Sequence, residues 1–280
     1  MSHAMSVKHN YLKTNNINNG EDIFRKFLNH LVINIIFILM HDLRLSMDKH
    51  ELPFIQDMFE SIAHRYDLLN RTLSLKQDIM WRNKLVQTLD LSGNENILDV
   101  ASGTGDVALS ICQQYPSVHI HCIDFSFNML RLANQKIKAS PHTLINTACA
   151  DAFDLPYPSE YFHAATMAFG IRNVVNKQKL LRTLYHHLVP GGQLLILELT
   201  LPEIIVLQNL YLLYFKKLLP MIGRMISKNS FAYDYLPNSV ISFPPSLDFS
   251  KMMKASGFKG VKWLPMTGGI CTLFVGSRAD

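Results

Sequence analysis

Cysteine is scarce in this chain, and its four cysteines are scattered: Cys112, Cys122, Cys149 and Cys271. No two of them form a C-x-x-C pair, which argues against a disulfide framework and against a thiolate zinc site. The twelve histidines do not replace these ligands, because the closest pairs have no carboxylate or cysteine at ligand spacing. We therefore expect small buried thiols in a reducing cytosol, and no metal site.

An excess of one charge and long apolar runs are lacking as well. Charged residues make up 18% of the chain and the net charge is +5, with no dense basic stripe, which argues against a nucleic-acid partner. The most apolar segment, residues 27–43, is interrupted by polar residues and falls short of the roughly 20 residues that a bilayer span requires. No membrane span is therefore expected.

The first 46 residues differ from those that follow. Residues 1–20 are polar and rich in asparagine, which is typical of disorder. Residues 27–43 make a poor signal peptide. They fit a membrane-surface helix, an extra helix packed on the domain, or sequence upstream of a true start at Met47. We favour the last reading and predict an N-terminal extension over residues 1–46 and one domain over residues 47–280.

A glycine-rich turn at residues 101–105 is the feature around which the domain is organised. Residues 97–100 read as a short buried strand, and residues 106–114 as a helix. This order places free backbone N–H groups and the positive end of the helix dipole at one point. Small residues allow a ligand to lie against the backbone there, because no Cβ stands in its way.

Two classes of cofactor use such a turn. Gly103-x-Gly105-x-x-Ala108 fits the dinucleotide fingerprint, with Asp124 as the acid for the ribose. Asp99 lies in the strand just before the turn, where a carboxylate would repel a pyrophosphate but attract the ammonium group of an amino acid. S-adenosylmethionine carries that ammonium and no phosphate. The order of Asp99, the glycine turn, Asp124, Asp151 and Pro190-Gly191-Gly192 resembles that of the class I S-adenosylmethionine-dependent methyltransferases. We therefore favour this cofactor, with a dinucleotide-dependent oxidoreductase as the alternative.

Strands alternate with helices from residue 97 onward. The predicted strands cover residues 97–100, 118–124, 143–148, 162–169 and 193–199, with a closing pair at 260–265 and 269–276. The predicted helices cover residues 106–114, 128–138, 177–188 and 247–255, after two or three helices between residues 52 and 91 that are broken at 66–70. This order predicts an α/β fold, a doubly wound Rossmann-like sheet with helices on both faces and ligands at the carboxyl ends of its strands. We expect every acid and turn singled out here, including Pro190-Gly191-Gly192, at that edge.

The segment after the fifth strand does not fit the alternation. Residues 202–219 are apolar on nearly all faces, which indicates a helix that is buried or touches something apolar. Residues 233–245 form an aromatic, proline-rich stretch that predicts a loop. We interpret residues 204–245 as an insertion that covers the substrate, and an ordinary helical cap is the alternative.

Five groups of residues carry a specific resemblance to a known family. In order, they are Tyr66-Asp67-Leu68-Leu69-Asn70 with Trp81, Ala101-Ser102-Gly103-Thr104-Gly105-Asp106, Phe169-Gly170-Ile171-Arg172-Asn173, Pro190-Gly191-Gly192 with Glu198-Leu199-Thr200, and Tyr233-x-Tyr235-Leu236-Pro237. Together they resemble the signature of the ubiquinone/menaquinone biosynthesis C-methyltransferases, which are class I S-adenosylmethionine-dependent enzymes. The resemblance runs from about residue 54 to residue 276 and leaves residues 1–46 outside.

The chain departs from that signature at six positions: Leu69, Asp78, Ser102, Ala168, His186 and Thr200. Ala168 stands where the family has a serine that contacts the cofactor, and the loss of a hydroxyl removes a contact worth about 0.5–1.5 kcal/mol. None of the departures affects Asp124 or Arg172, so the implied activity is kept.

The resemblance implies methylation of a ring carbon in a prenylated quinol. We favour demethylmenaquinol as the acceptor, with the methoxy-benzoquinol of ubiquinone biosynthesis as the alternative. A sterol or other lipid acceptor, or a non-catalytic lipid- or cofactor-binding protein, fits the motifs less well.

Position along the chain assigns the roles of the cofactor site. Asp99 and the backbone of Gly103 and Gly105 are expected at the methionine end, with Thr104 lining the turn and Asp124 accepting from both ribose hydroxyls. Asp151 and Ala152 are expected at the adenine edge, where Asp151 has an alternative role in forming a turn. Ala168 completes the site at the end of the fourth strand.

Four residues are assigned to the acceptor. Arg172 is expected to lower the pKa of the phenol or to orient a water molecule, because a guanidinium is not itself a base. Asn173 would position the quinol oxygen, and Tyr66 would close the pocket from above. Asp67 is the candidate proton acceptor, with a helix cap as its alternative role.

A prenyl tail would explain the apolar insertion. Lys216, Lys217, Arg224 and Lys228 could then rest on anionic headgroups. We expect a cytoplasmic enzyme that makes transient contact with the inner membrane surface, and a homo-oligomer is left open.

Overall fold

The structure is a computed structural model, and it describes residues 51–142, 144–215 and 231–279. The predictions for residues 1–46, for the boundary at Met47 and for the four basic residues between 216 and 228 lie outside these ranges. From Phe54 onward, the described chain forms one compact unit.

A seven-stranded sheet forms the centre of this unit, in the order β3-β2-β1-β4-β5-β7-β6. Its strands are β1 (Asn96–Val100), β2 (His119–Asp124), β3 (Ile145–Cys149), β4 (Phe162–Ala168), β5 (Leu188–Leu199), β6 (Lys259–Met266) and β7 (Cys271–Ser277). The first five strands run parallel, and β7 lies antiparallel between β5 and β6. The strand order reverses between β1 and β4, which places a ligand crevice beyond their carboxyl ends.

Eight helices accompany the sheet in the described ranges. They are α1 (Glu51–Leu73), α2 (Gln77–Thr88), α3 (Asp106–Gln114), α4 (Phe127–Lys138), α5 (Lys177–His187), α6 (Ile205–Leu213), α7 (Phe231–Ile241) and α8 (Ser246–Ala255). Apolar side chains of α2, α3 and α4 pack on one face of the sheet, and those of α5 and α8 pack on the other. Strand β5 contributes alternate leucines to both cores, which explains its nearly continuous apolar sequence. The doubly wound fold is confirmed.

A third apolar cluster joins α1, α6 and α7. Leu69 of α1, Tyr211 and Phe215 at α6, and Val240 of α7 are its buried members. The insertion therefore packs on the N-terminal helix, and Leu199 and Ile270 connect this cluster to one of the two cores that flank the sheet.

Three expectations about local structure are wrong. The chain does not break at residues 66–70, because α1 runs through them without interruption. Residues 233–241 are helical rather than a loop, and Pro237 lies inside α7. Pro190-Gly191-Gly192 is part of β5 near its amino end, at the edge of the sheet opposite the expected one.

Tertiary contacts account for these differences. In α1 the apolar repeat is interrupted because polar side chains such as Glu60 and Asp67 turn towards loops of the sheet. Proline removes one backbone hydrogen bond from a helix, and the packing of Val240 against α1 and α6 offsets that loss in α7. At Pro190-Gly191-Gly192, the N–H of Gly191 donates to the carbonyl of Arg278, so this turn joins β5 to the C-terminal segment.

Candidate functional site

The turn between β1 and α3 is held in a conformation that requires small residues. Gly103 and Gly105 have φ angles of 56° and 80°, and Ala101 also lies in the left-handed region. A Cβ on Gly105 would lie 3.2 Å from the Cβ of Ala133, whereas one on Gly103 would meet only the ring of Tyr66, at 3.8 Å. The two glycines therefore differ: packing constrains Gly105, whereas a methyl group on Gly103 would fit in ordinary contact with Tyr66.

Asp99 lies at the carboxyl end of β1 with its side chain 1% exposed. Its Oδ1 accepts a hydrogen bond of 2.7 Å from the hydroxyl of Thr166, and within the described ranges its Oδ2 has no partner. Burial raises the pKa of Asp99 to about 7, although the Thr166 hydrogen bond acts in the opposite direction. A buried carboxylate oxygen without a partner is costly, and an ammonium group would satisfy it.

Asp124 lies at the carboxyl end of β2 and is almost fully buried. Its two oxygens accept from the backbone N–H groups of Gly103 and Ser126, each at 2.8 Å. Burial raises its pKa to about 6, against the effect of these two hydrogen bonds. Asp124 therefore fixes the glycine turn to the end of β2, and the second lone pair of each oxygen is left for a ligand hydroxyl.

The residues predicted at the adenine edge follow β3 and end β4. Asp151 is exposed, and its Oδ1 accepts from the N–H of Phe153 at 2.9 Å, which is the turn-forming role considered as its alternative. Ala152 and Ala168 are partly buried. All three follow or end strands adjacent to β1 or β2, at the edge of the sheet that carries Asp99 and Asp124.

Helix α1 lies across the loops after β1 and β2. Glu60 accepts from the Ser126 hydroxyl at 2.9 Å, and Gln56 donates to the carbonyl of Phe125 at 3.3 Å. Further along the helix, the ring of Tyr66 stands over Gly103. The structure therefore places Tyr66 beside the glycine turn, and its closure of a substrate pocket stays a prediction.

Asp67 and Thr104 bind each other, so neither side chain is free to contact a ligand in the structure. The Thr104 hydroxyl donates to Asp67 Oδ1 at 2.6 Å, and Lys136 of α4 pairs with Asp67 Oδ2 at 2.5 Å. Thr104 is only 3% exposed, and its hydroxyl within the turn is directed to α1. Since Asp67 lies inside α1, its alternative role as a helix cap is wrong.

A network of charges continues from Lys136 below the turn. Its Nζ pairs with Asp106 at 2.6 Å, and Asp106 also pairs with Arg71 at 2.7 Å. Arg71 and Arg82 both bind the buried carboxylate of Asp78. Burial alone would raise the pKa of Asp106, but the cations, Lys136 foremost, hold it below its ordinary value. The network fastens α1, α2 and α4 to the N-terminus of α3.

Arg172 follows β4 in a short 3-10 turn, with its side chain 8% exposed. Its Nη1 donates to Glu198 Oε1 at 2.6 Å and to the carbonyl of Phe169 at 2.7 Å. Burial opposes the charge, but Glu198 and then the phenols of Tyr66 and Tyr235 raise the pKa of Arg172 overall. Arg172 is therefore a permanent, paired cation close to two phenols.

Asn173 accepts a hydrogen bond of 3.0 Å at Oδ1 from the hydroxyl of Tyr235, which belongs to α7. Tyr211 of α6 also lies near Arg172 and Glu198, and burial foremost raises its pKa far above the ordinary value. The insertion thus brings two tyrosines to the turn that carries Arg172 and Asn173.

Sequence reasoning missed Glu198, Tyr235 and Lys136 as members of the site. Glu198 was the one with a signal, because an acid at the carboxyl end of an apolar parallel strand is expected beside the crevice. Lys136 stands two residues before the end of an ordinary amphipathic helix, and only the fold shows what it contacts.

Exposed apolar side chains are concentrated in α6 and the residue before it. Ile204, Ile205, Val206, Leu210 and Leu213 are each at least half exposed. Among the residues that the structure describes, no helix combines the length and the apolar character needed to cross a bilayer.

Comparison with known proteins agrees with this arrangement. A protein from Geotalea daltonii named ubiquinone/menaquinone biosynthesis C-methyltransferase is 46% identical over 226 residues, which cover 80% of this chain and 96% of that protein. The demethylmenaquinone methyltransferases of Deinococcus radiodurans and Thermus thermophilus are each 41% identical, over 80% and 79% of this chain and 92% and 100% of their own lengths.

Solved structures resemble the fold at low sequence identity. The cyclase SpnF has a TM-score of 0.60 at 14% identity, covering 80% of this chain and 95% of its own. A putative methyltransferase from Bacillus halodurans has a TM-score of 0.54 at 20% identity, covering 71% and 99%. Residues 46–278 match the model of the ubiE/COQ5 methyltransferase family, and the chain belongs to that family.

Proposed function

We propose that this chain transfers the methyl group of S-adenosylmethionine to a ring carbon of a prenylated quinol, with demethylmenaquinol as the acceptor. Membership of the ubiE/COQ5 methyltransferase family over residues 46–278 is the observation that carries this proposal. The names of the relatives from Deinococcus and Thermus favour the naphthoquinol. The name of the Geotalea relative favours the methoxy-benzoquinol equally, and that acceptor is the second candidate.

The residues around the glycine turn fit the cofactor. The buried, unpartnered oxygen of Asp99 suits the ammonium group of the methionine end. Gly103 leaves the backbone accessible beside it, and Asp124 has lone pairs for the ribose hydroxyls. Asp151, Ala152 and Ala168 are proposed along the adenine side. When bound, the sulfonium supplies an electrophilic methyl group.

The acceptor carbon must become electron-rich before it can attack a methyl group. Ionisation of the neighbouring phenol achieves this, and Arg172 with Asn173 would hold the phenolate oxygen. A C–C bond forms as the C–S bond breaks, and replacing the ring hydrogen by methyl releases one proton overall. Closure by α1 and Tyr66 would keep water from the reacting atoms.

Asp67 stays a proposed proton acceptor, but its surroundings oppose that role. Thr104 donates to one of its oxygens and Lys136 pairs with the other, so neither oxygen is open to a proton from the acceptor. The same contacts support a different function for Asp67, which is to hold α1 on the glycine turn.

The apolar insertion would receive the prenyl tail and touch the inner membrane surface. Each methylene removed from water contributes about 0.8 kcal/mol, so two isoprene units would bind strongly. The apolar side chains exposed at α6 support a position of the insertion at the surface of the bilayer rather than within it.

A direct assay tests the reaction. The purified chain is incubated with radiolabelled S-adenosylmethionine and either a demethyl-naphthoquinol or a methoxy-benzoquinol of equal prenyl length. We expect transfer to the naphthoquinol, and we expect Arg172→Ala to lower kcat far more than cofactor affinity. Transfer to the benzoquinol alone would assign the ubiquinone step. If NADH but not S-adenosylmethionine raises the melting temperature of the chain, that result would contradict methyl transfer.

A further inference from the structure

Glu198 is a buried carboxylate that accepts two of its three hydrogen bonds from Arg172. It ends the apolar run of β5 and has a relative exposure of 0%. Its Oε1 accepts from Arg172 Nη1 at 2.6 Å and its Oε2 accepts from the backbone N–H of Arg172 at 3.0 Å. The adjacent N–H of Leu199 also donates to Oε1, at 2.7 Å. One carboxylate therefore fixes both the main chain and the side chain of Arg172.

The contacts of Arg172 leave its buried Nε–H unsatisfied among the described residues. Nη1 is shared between Glu198 and the carbonyl of Phe169, whereas the buried Nε–H has no hydrogen-bond partner among the described residues. An unsatisfied buried donor is costly, and more so when it carries charge. A substrate oxygen would satisfy it.

We infer that Glu198 is a positioning residue, which holds the Arg172 guanidinium so that its free Nε–H meets the ring oxygen of the acceptor. This inference rests on the proposed function. Glu198 itself touches no reacting atom, and it acts through the orientation and the charge of Arg172. Because it also neutralises Arg172, Glu198 prevents the buried cation from binding an arbitrary anion in place of the quinol.

Several elements bring titratable groups to Arg172. Glu198 of β5 is the acid that is paired with it. Four further groups interact electrostatically with Arg172: Tyr66 of α1, Tyr235 of α7, Tyr211 of α6 and Cys271 of β7. Among the residues that the structure describes, Glu198 is the acid that forms an ion pair with Arg172. Removing the charge of Glu198 would therefore leave Arg172 as an uncompensated cation, and a phenolate beside it would form at lower pH.

The test compares Glu198→Gln and Glu198→Asp with the wild-type chain. We expect Glu198→Gln to lower kcat about 100-fold, because the released guanidinium no longer aims its Nε–H at the ring oxygen and a phenolate stabilised by an uncompensated cation is a weaker nucleophile, with the dissociation constant of S-adenosylhomocysteine within twofold of wild type. The acid limb of its kcat profile should move to lower pH by about one unit. Glu198→Asp keeps the charge, so it should restore part of kcat and leave the acid limb in place.

Thr200→Val provides a matched control for a lost buried hydrogen bond. Thr200 follows β5 and bonds to the Gly269 carbonyl and to Thr272, each at 2.8 Å. Rates are expressed per site that binds S-adenosylhomocysteine, so a partly unfolded variant does not mimic a catalytic defect. A kcat for Glu198→Gln within threefold of wild type, or a loss equal to that of Thr200→Val with no shift of the acid limb, overturns the inference. A wild-type chain that binds the cofactor but methylates neither quinol would instead overturn the proposed function.

Discussion

The carboxylate of Asp99 shows how one residue can trade stability for binding. It is buried with one oxygen unpaired, and burial raises its pKa to about 7. The folded chain therefore binds this proton more tightly than the unfolded chain, whose carboxyl titrates near 3.8. The unfolding free energy contributed by Asp99 is fully present below about pH 4 and is lost as pH rises to about 7.

Asp99→Asn should remove the loss of stability that accompanies ionisation of Asp99 at higher pH, and it should also abolish the attraction for the ammonium group. We expect the unfolding free energy of the cofactor-free chain at pH 8 to rise by about 1–4 kcal/mol. Affinity for S-adenosylmethionine should fall about 30-fold or more. Urea denaturation at pH 4 and pH 8 and titration calorimetry measure the two effects.

Proton release gives this prediction a second readout. At pH 6.5 the binding enthalpy of the wild-type chain should depend on the ionisation enthalpy of the buffer, because the incoming ammonium expels the proton of Asp99. Asp99→Asn should weaken that dependence, and the exposed Asp90→Asn should leave it unchanged. Wild-type enthalpies that are equal in all buffers would contradict the role of Asp99.

Residue type and strand position were sufficient to predict where some of the proposed site residues lie in the fold, but not others. Asp99, Gly103 and Asp124 were predictable because each follows from one strand and the turn next to it. Glu198 and Tyr235 depend on contacts between residues 26 and 62 positions apart, and such distances carry no local pattern. Thr104 was expected to face the ligand, but the hydroxyl is taken by Asp67 across 37 residues.

At the scale of elements, the two glycines of the β1–α3 turn should respond differently to a methyl group. Gly105→Ala places a Cβ 3.2 Å from that of Ala133 in addition to the strain of φ 80°, so it should mainly lower the melting temperature. Gly103→Ala meets nothing closer than 3.8 Å, so it should fold and mainly weaken cofactor binding.

Gly260→Ala is the control for backbone strain alone. Gly260 has a φ of 58°, close to the 56° of Gly103, and nothing stands within 4 Å of its added Cβ. Both Gly260→Ala and Gly103→Ala should lose about 1 kcal/mol of stability. Only Gly260→Ala should keep full cofactor affinity. Equal affinities for these two variants would show that the turn does not contact the cofactor.

Lys136→Met tests whether α1 is fastened over the turn. It removes the cation shared by Asp67, Asp106 and Thr104, and a charge-assisted hydrogen bond contributes about 1.5–3 kcal/mol. We expect about tenfold weaker S-adenosylhomocysteine binding and faster amide exchange along α1. Lys138→Met, on the exposed side of the same helix, should change neither. Unchanged exchange in α1 would contradict the fastening.

Elements were predictable where burial alone decides them. The β-strands and the helices between them follow from apolar periodicity, and α3 has the predicted ends. Helices α1 and α7 were misread, because polar contacts with loops interrupt the repeat in one and a proline occupies the other. In both cases, tertiary packing overrides a local signal.

At the scale of the whole molecule, the apolar side chains exposed on α6 are grouped within ten residues, from Ile204 to Leu213. Single exposed apolar residues are normal on a protein surface, but a contiguous group indicates a contact. The same insertion brings Tyr235 and Tyr211 to Arg172. Contact with lipid on one side and the reaction turn on the other would let a quinol pass from the bilayer to the site without exposing its tail to water.

Ile205→Gln combined with Leu210→Gln should release the chain from vesicles. Each of these side chains contributes about 1.5–3 kcal/mol when it leaves water. The partition coefficient of the chain between vesicles and water should therefore fall about 100-fold or more. Flotation with vesicles of the native anionic composition measures it. Leu75→Gln combined with Leu247→Gln removes two leucines of similar average exposure elsewhere, and this variant should float like the wild-type chain.

The α6 variant should also show a raised KM for a long-chain quinol in vesicles and an unchanged KM for a short-chain quinol in solution. Equal flotation of both double variants, or no flotation of the wild-type chain, would remove the membrane contact and leave the methyl-transfer chemistry standing.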